Sequence, residues 1–192
     1  EYEIKIEDFV PLTVETNLSL NGDTWKLNQK ESFKVAAEYL SGGAAGGLSA
    51  EIFGRVKAVR NHENPQLDGF IFGQDNSTSF VHAINTEQFQ LNNEGFFEGK
   101  IDTSNFDLNV NSLFEVELIA NVFDVGGRPN FAKNTIQLKT VEAYVGIKPS
   151  TPGVVETGSE VSFEIANVDR QGHDVMGPNL IYTLRKVRRS YD

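Results

Sequence analysis

The chain has no cysteine. That excludes disulfides, thiol catalysis and cysteine-ligated zinc at once, while leaving the compartment open, because secreted and periplasmic proteins also occur without cysteine. Excess positive charge is lacking too. Seventeen Lys and Arg stand against 27 Asp and Glu, a net −10, so there is no basic face of the kind phosphate backbones require, and nucleic acid is excluded as a partner. No apolar run approaches the ~20 residues of a membrane-spanning helix, so direct membrane insertion is not expected either. The first residues, Glu1-Tyr2-Glu3-Ile4-Lys5-Ile6, lack the charged and apolar regions of a signal peptide. No stretch longer than two turns carries a helical period.

Catalytic signatures are missing as well. The three histidines, His62, His82 and His173, share no metal spacing, and there is no H-E-x-x-H. No G-x-S-x-G elbow offers a nucleophile. The glycine cluster at 42–47, Gly-Gly-Ala-Ala-Gly-Gly, lacks the Gly-Lys-Ser/Thr ending of a phosphate loop and the G-x-G-x-x-G of a dinucleotide fingerprint; it reads as a flexible crossing between strands.

What remains is the grammar of short strands and turns. The stretch 115–129 is the clearest: Val116, Leu118, Ala120 and Val122 recur every second residue, the period of a half-buried strand. Gly126-Gly127 then supplies the positive backbone dihedrals of a tight reversal, and Ile136 and Leu138 return at the same period. Similar runs are Tyr2, Ile4 and Ile6; Leu12, Val14, Leu18 and Leu20; Phe33, Val35, Ala37 and Tyr39; and 48–59, with Ile52, Gly54, Val56 and Ala58 on one face. Polar turns fall at 21–23, 28–31, 61–68, 75–78 and 92–95, and 101–111 is weakly patterned. Seventeen glycines punctuating such runs point to an all-β chain. A fresh unit opens near Val141, with strands at 144–149, around Val161, Phe163 and Ile165, and at 180–187. Domains are therefore expected at 1–139 and 140–192. The second is too short for an immunoglobulin-like sandwich of about 100 residues, so the sequence reads as a piece of a longer chain.

Several groups are candidate sites. Asp102, Asp107 and the Asp68/Asp75 pair offer carboxylates for a glycosidase-type pair, but solvated strand faces account for them. Asp102, Asn105 and Asp107 carry oxygens suited to calcium without the calcium loop's glycine and terminal glutamate. Phe70/Phe72 and Phe96/Phe97 are candidate sugar-stacking rings, with core plugs as the plainer reading. Arg185-Lys186-Val187-Arg188-Arg189 is basic but alternates between strand faces. Asn17 and Asn76 match the glycosylation pattern. No catalytic, metal or cofactor-binding residue is assigned, no cofactor is expected, and His62 is expected to be dispensable.

The order of segments carries a resemblance. Glu7-Asp8-Phe9-Val10-Pro11, the run from Ala37 through Gly42-Gly43-Ala44-Ala45-Gly46-Gly47-Leu48, Asn64-Pro65 with Gly69-Phe70-Ile71-Phe72-Gly73, and Val122-Phe123-Asp124-Val125-Gly126-Gly127-Arg128-Pro129 are similar to a macroglobulin domain of bacterial alpha-2-macroglobulins. Tyr144-Val145-Gly146-Ile147-Lys148-Pro149, and the stretch from Asn179 to Tyr191, resemble the next such domain. The resemblance implies fibronectin III-like β-sandwiches, the second incomplete, in a structural module of a periplasmic, lipid-anchored envelope protein. The resemblance implies that such proteins trap invading or host proteinases after cleavage of a bait segment, with capture of the attacker by an internal Cys–Gln thioester in those that carry one. Partners would be other domains of the same parent chain and, through the whole protein, proteinases. The chain has no cysteine, so it cannot hold the thioester, and no site residue carries over. The rival reading is an adhesin or carbohydrate-binding sandwich in which Phe70 or Trp25 meets ligand; a carboxylate-pair hydrolase is a third.

Overall fold

The computed structural model describes residues 13–73, 80–108, 112–151, 153–177 and 180–183. The strand expected around Tyr2, Ile4 and Ile6, Leu12, the turn at 75–78 with Asp75 and Asn76, and the basic cluster at 185–189 lie outside the described residues. Among the described residues twelve strands run in order: β1 (Val14–Leu20), β2 (Thr24–Lys26), β3 (Lys30–Tyr39), β4 (Ser49–Val59), β5 (Ile71–Phe72), β6 (Phe80–Asn85), β7 (Phe89–Gln90), β8 (Phe96–Asp102), β9 (Leu113–Phe123), β10 (Pro129–Lys139), β11 (Tyr144–Pro149) and β12 (Phe163–Val168). Two 3₁₀ turns, Pro65–Leu67 and Thr103–Asn105, are the only helical pieces among the described residues.

A three-stranded sheet, β1-β3-β8, faces a larger one ordered β2-β10-β9-β4-β6, with β7 paired to β4. This is the all-β sandwich the alternating runs imply. Val14 and Leu18, then Phe33, Val35 and Ala37, line one inner face; Ala50, Ile52 and Val56, with Val116, Leu118, Ala120 and Val122, line the other. Burying each large side chain contributes roughly 1.5–3 kcal/mol. The expected β9–β10 hairpin forms, with Val116 opposite Ile136 and Ala120 opposite Ala132. Its turn is simpler than the double glycine implies: only Gly127 takes a positive φ, 76°, while Asp124 N–H donates to the Arg128 carbonyl and Gly127 N–H to the Asp124 carbonyl.

The 42–47 crossing is not slack. Ala45 is fully buried, its N–H donates to Ala37 and Gly47 N–H donates to Leu91. A Cβ on Gly46 would sit 2.8 Å from the Asn92 carbonyl oxygen. Glycine is used there for close approach, which pins the segment.

A third sheet, β12-β11-β5, completes the described structure. Its strand β5 comes from the middle of the chain: Phe72 pairs with Gly146 and Ile71 with Ile147. Phe72, Leu67, Leu113, Tyr144 and Val168 form its own buried cluster. The run read as alternating at Val161, Phe163 and Ile165 contributes β12 only from Phe163, and Phe163 and Ile165 are exposed, as are Val145 and Ile147 of β11. Residues 180–183, expected in a last strand, adopt no strand.

Candidate functional site

The described residue cluster with the most unusual chemistry lies where the third sheet meets the sandwich. After the last sandwich residues, the chain turns at 140–143 under the Tyr144 hydroxyl, which accepts from Thr140 N–H at 2.9 Å. β11 and β12 follow, and the turn after β12 projects Arg170 back against the start of β9. The loop 61–64, between β4 and β5, reaches the same place. Asn64 caps its 3₁₀ turn, its side-chain oxygen accepting from Gln66 N–H at 3.0 Å.

His62 and Arg170 meet there. Asn64 N–H donates to Nδ1 of His62 at 2.9 Å, so Nδ1 carries no proton. Nε2 lies 3.1 Å from the Arg170 carbonyl oxygen and therefore holds the hydrogen. The ring is buried and tilts against Phe72. Burial, and next the Arg170 charge, hold its pKa below 6.5, against the opposing pull of its bond to the Arg170 carbonyl and of Glu63 and Asp169. His62 is thus not the surface histidine expected of a polar loop: a ring bonded at both nitrogens ties two distant loops together.

Arg170 is 1% exposed. Its Nη2 reaches the Phe114 carbonyl only at 3.5 Å and the Glu63 carboxylate at 3.9 Å, and Nε and Nη1 have no partner. Burial lowers its pKa, opposed by Glu63, Tyr144 and Glu115; a guanidinium nonetheless stays charged. Asp169 folds the turn itself, one carboxylate oxygen accepting from Gln171 N–H and His173 N–H, both at 2.9 Å. Burial pushes the Asp169 pKa up, but these bonds and His173 outweigh it, and the net shift is downward.

A cleft of about 640 Å³ opens beside this contact, lined among others by Asp23, Thr24, Glu63, Glu115, Gln137 and Gln171. Three carboxylates at its rim oppose an anion, and Arg170 opposes a cation. Arrangement and charge fit a joint held between two bodies better than a ligand site.

The residues weighed from the sequence do not converge. His173 is exposed, 3.2 Å from Asp169, and His82 tilts on Phe106. Asp102 is spent on capping: its carboxylate accepts from the Ser104 backbone and hydroxyl, which lowers its pKa. Among the described residues no group of three or more His, Asp or Glu is placed to hold a metal. Phe72 and Trp25 are fully buried, so neither faces a ligand. Phe97 stacks on Phe89 with centroids 4.0 Å apart, and Phe96 and Phe70 lie under Lys34 and Lys148. Arg170 was missed because Asp169-Arg170-Gln171-Gly172 has the composition of a solvated turn.

The sequence matches the family model described as the bacterial alpha-2-macroglobulin MG5 domain over residues 13–138, and that of bacterial macroglobulin domain 6 over residues 146–192. A curated relative, alpha-2-macroglobulin of Escherichia coli K12, is 25% identical over an alignment 209 positions long that covers 99% of this chain and 12% of that protein. The chain thus spans about an eighth of that relative's length. Among solved structures, trypsin-activated alpha-2-macroglobulin from Escherichia coli superposes with a TM-score of 0.67 at 24% identity, covering 87% of this chain and 12% of that one. Salmonella alpha-2-macroglobulin reacted with methylamine gives 0.65 at 22%, covering 88% and 12%. At such identities these structures establish the shared fold.

Proposed function

The chain belongs to the bacterial alpha-2-macroglobulin family, and from that membership we propose that it is a structural scaffold module of a proteinase-trapping inhibitor. In this reading residues 1–139 form one macroglobulin-like sandwich and 140–192 the N-terminal part of the next. The parent is a periplasmic, lipid-anchored envelope protein that captures proteinases after cleavage of its bait region. The module performs no catalysis; its partners are neighbouring domains of the parent and, through the parent, proteinases.

The observation that carries this reading is the collinear match of 13–138 and then 146–192 to consecutive macroglobulin domains. A close-packed sandwich supports it physically. Such cores are poorly deformable, so rearrangement is confined to joints between rigid pieces. The test is a trapping assay on the parent protein. After exposure to a trypsin-like proteinase, the complex should retain activity towards a small peptide substrate and lose it towards a large protein substrate. Undiminished cleavage of the large substrate by the treated mixture, or turnover by the purified chain alone, would sink the proposal.

A further inference from the structure

The His62–Arg170 contact joins segments 108 positions apart, and it depends on one protonation state of one ring. Nδ1 must accept from Asn64 N–H while Nε2–H serves the Arg170 carbonyl. A proton on Nδ1 would set two N–H groups facing each other at 2.9 Å, and would place an imidazolium beside a buried guanidinium that already lacks partners on Nε and Nη1. The turn packs closely on one side of the ring, since a Cβ on Gly172 would lie 3.0 Å from Cε1.

We propose that this contact is an acid-sensitive clasp: uptake of one proton by His62 releases the 169–172 turn from the 61–64 loop and frees the third sheet to move against the sandwich. The proton comes from the water of the adjoining cleft, which His62 lines; no other bond is made or broken.

The charged surroundings set the sign. Arg170 opposes the proton. Glu63 on the same loop and Asp169 on the turn favour it, but Glu63 is engaged with Gln137 Nε2 at 2.6 Å and Asp169 with the amides of its own turn. Glu115 of β9 faces Arg170 and is bridged to Lys57 at 3.1 Å. Tyr144 of β11 acts on Arg170, Asp23 stands at the cleft rim, and β5 presents the Phe72 ring. Burial and Arg170 prevail, so the closed state binds the proton less well than the open one. Closure is therefore complete above about pH 6.5 and is lost as pH falls from there towards the lower closed-state value.

The absence of cysteine makes a two-label measurement direct. Glu94→Cys on the sandwich and Glu160→Cys beyond β11, both exposed, take a donor and an acceptor dye in the full chain. The open population should grow between pH 7.5 and 5, by up to tenfold per pH unit below about 6.5. His62→Gln should flatten that dependence, and His82→Gln, in β6 against Phe106 and away from the contact, should leave it as in the unsubstituted chain. A flat profile in the unsubstituted chain, or an unchanged slope in His62→Gln, overturns the clasp. Should His62→Gln open the joint at every pH, ring-nitrogen NMR of the unsubstituted chain decides. An unprotonated Nδ1 at neutral pH, titrating together with opening, supports the clasp; a protonated Nδ1, or a midpoint at or above 6.5, overturns it. Its failure would leave the scaffold reading untouched, since trapping does not require a pH-dependent joint.

Discussion

Glu117 stands on the outer face of β9 beneath three cations. Lys133 approaches to 2.7 Å, Arg55 to 2.9 Å and Lys57 to 3.9 Å. The side chain is nearly covered, and the Lys133 bond, opposed by burial and reinforced by Arg55 and Lys57, lowers its pKa from 4.5. Because the folded value is depressed, the stabilisation is full above pH 4.5 and fades as pH falls through the folded value. We predict that Glu117→Gln costs about 1 kcal/mol at pH 7, discounted because Arg55 and Lys133 remain half exposed. The deficit should shrink when urea unfolding is repeated below pH 4; a deficit independent of pH would mean that the carboxylate charge is not what stabilises. The second residue of this kind is His62. Removing its ring leaves Asn64 N–H and the Arg170 carbonyl without partners under a buried surface, so His62→Ala should cost about 2 kcal/mol. Protection of the 163–168 amides against hydrogen exchange reads that loss directly.

At the level of elements, the β4–β9 pairing organises the large sheet, and one glycine permits it. Gly54 lies opposite Leu118, and a Cβ there would collide with the Glu117 carbonyl oxygen and fall 2.7 Å from Leu118 Cδ2. Gly54→Ala must therefore push the strands apart, at about 3 kcal/mol, visible as a lowered urea midpoint. Leu118→Asp is harsher: it places a charge at a site with no exposure, and the sandwich should not fold. An unchanged thermal midpoint would mean that the phase of β9 is misassigned. That phase was readable from the sequence, as were β1, β3, β4 and the hairpin, because alternation and turn residues are local signals. β2 was not, since three residues around Trp25 carry no period and their parallel partner is Gln137–Lys139, far along the chain. β5 was seen only as a short apolar run, because two residues cannot announce a partner more than seventy positions later. Glu117 and Arg170 were hidden for a different reason: charge in a strand or turn predicts solvent, and only tertiary placement buries it.

Across the whole molecule, two buried clusters divide the labour. One fills the sandwich; the other, of Leu67, Phe72, Leu113, Tyr144 and Val168, holds the third sheet. β9 serves both, Leu113 in the small cluster and Phe114 in the large, so one strand runs through the joint, where the polar His62–Arg170 contact lies beside the apolar packing of Leu113. A frame that must stay stiff within its pieces and yield between them calls for such a split. Phe72 is the place to test it. Its ring is fully buried and fills the space that Gly146 leaves, where an added Cβ would come within 2.6 Å of the ring. Phe72→Ala should cost about 3–5 kcal/mol, concentrated in the third sheet. Hydrogen exchange in low urea should then expose the amides of 144–148 and 163–168 while those of 114–122 and 130–138 stay protected. If the sandwich amides lost protection in the same step and to the same extent, the two clusters would be one cooperative unit, and a joint at the His62–Arg170 contact would have nothing separate to hold.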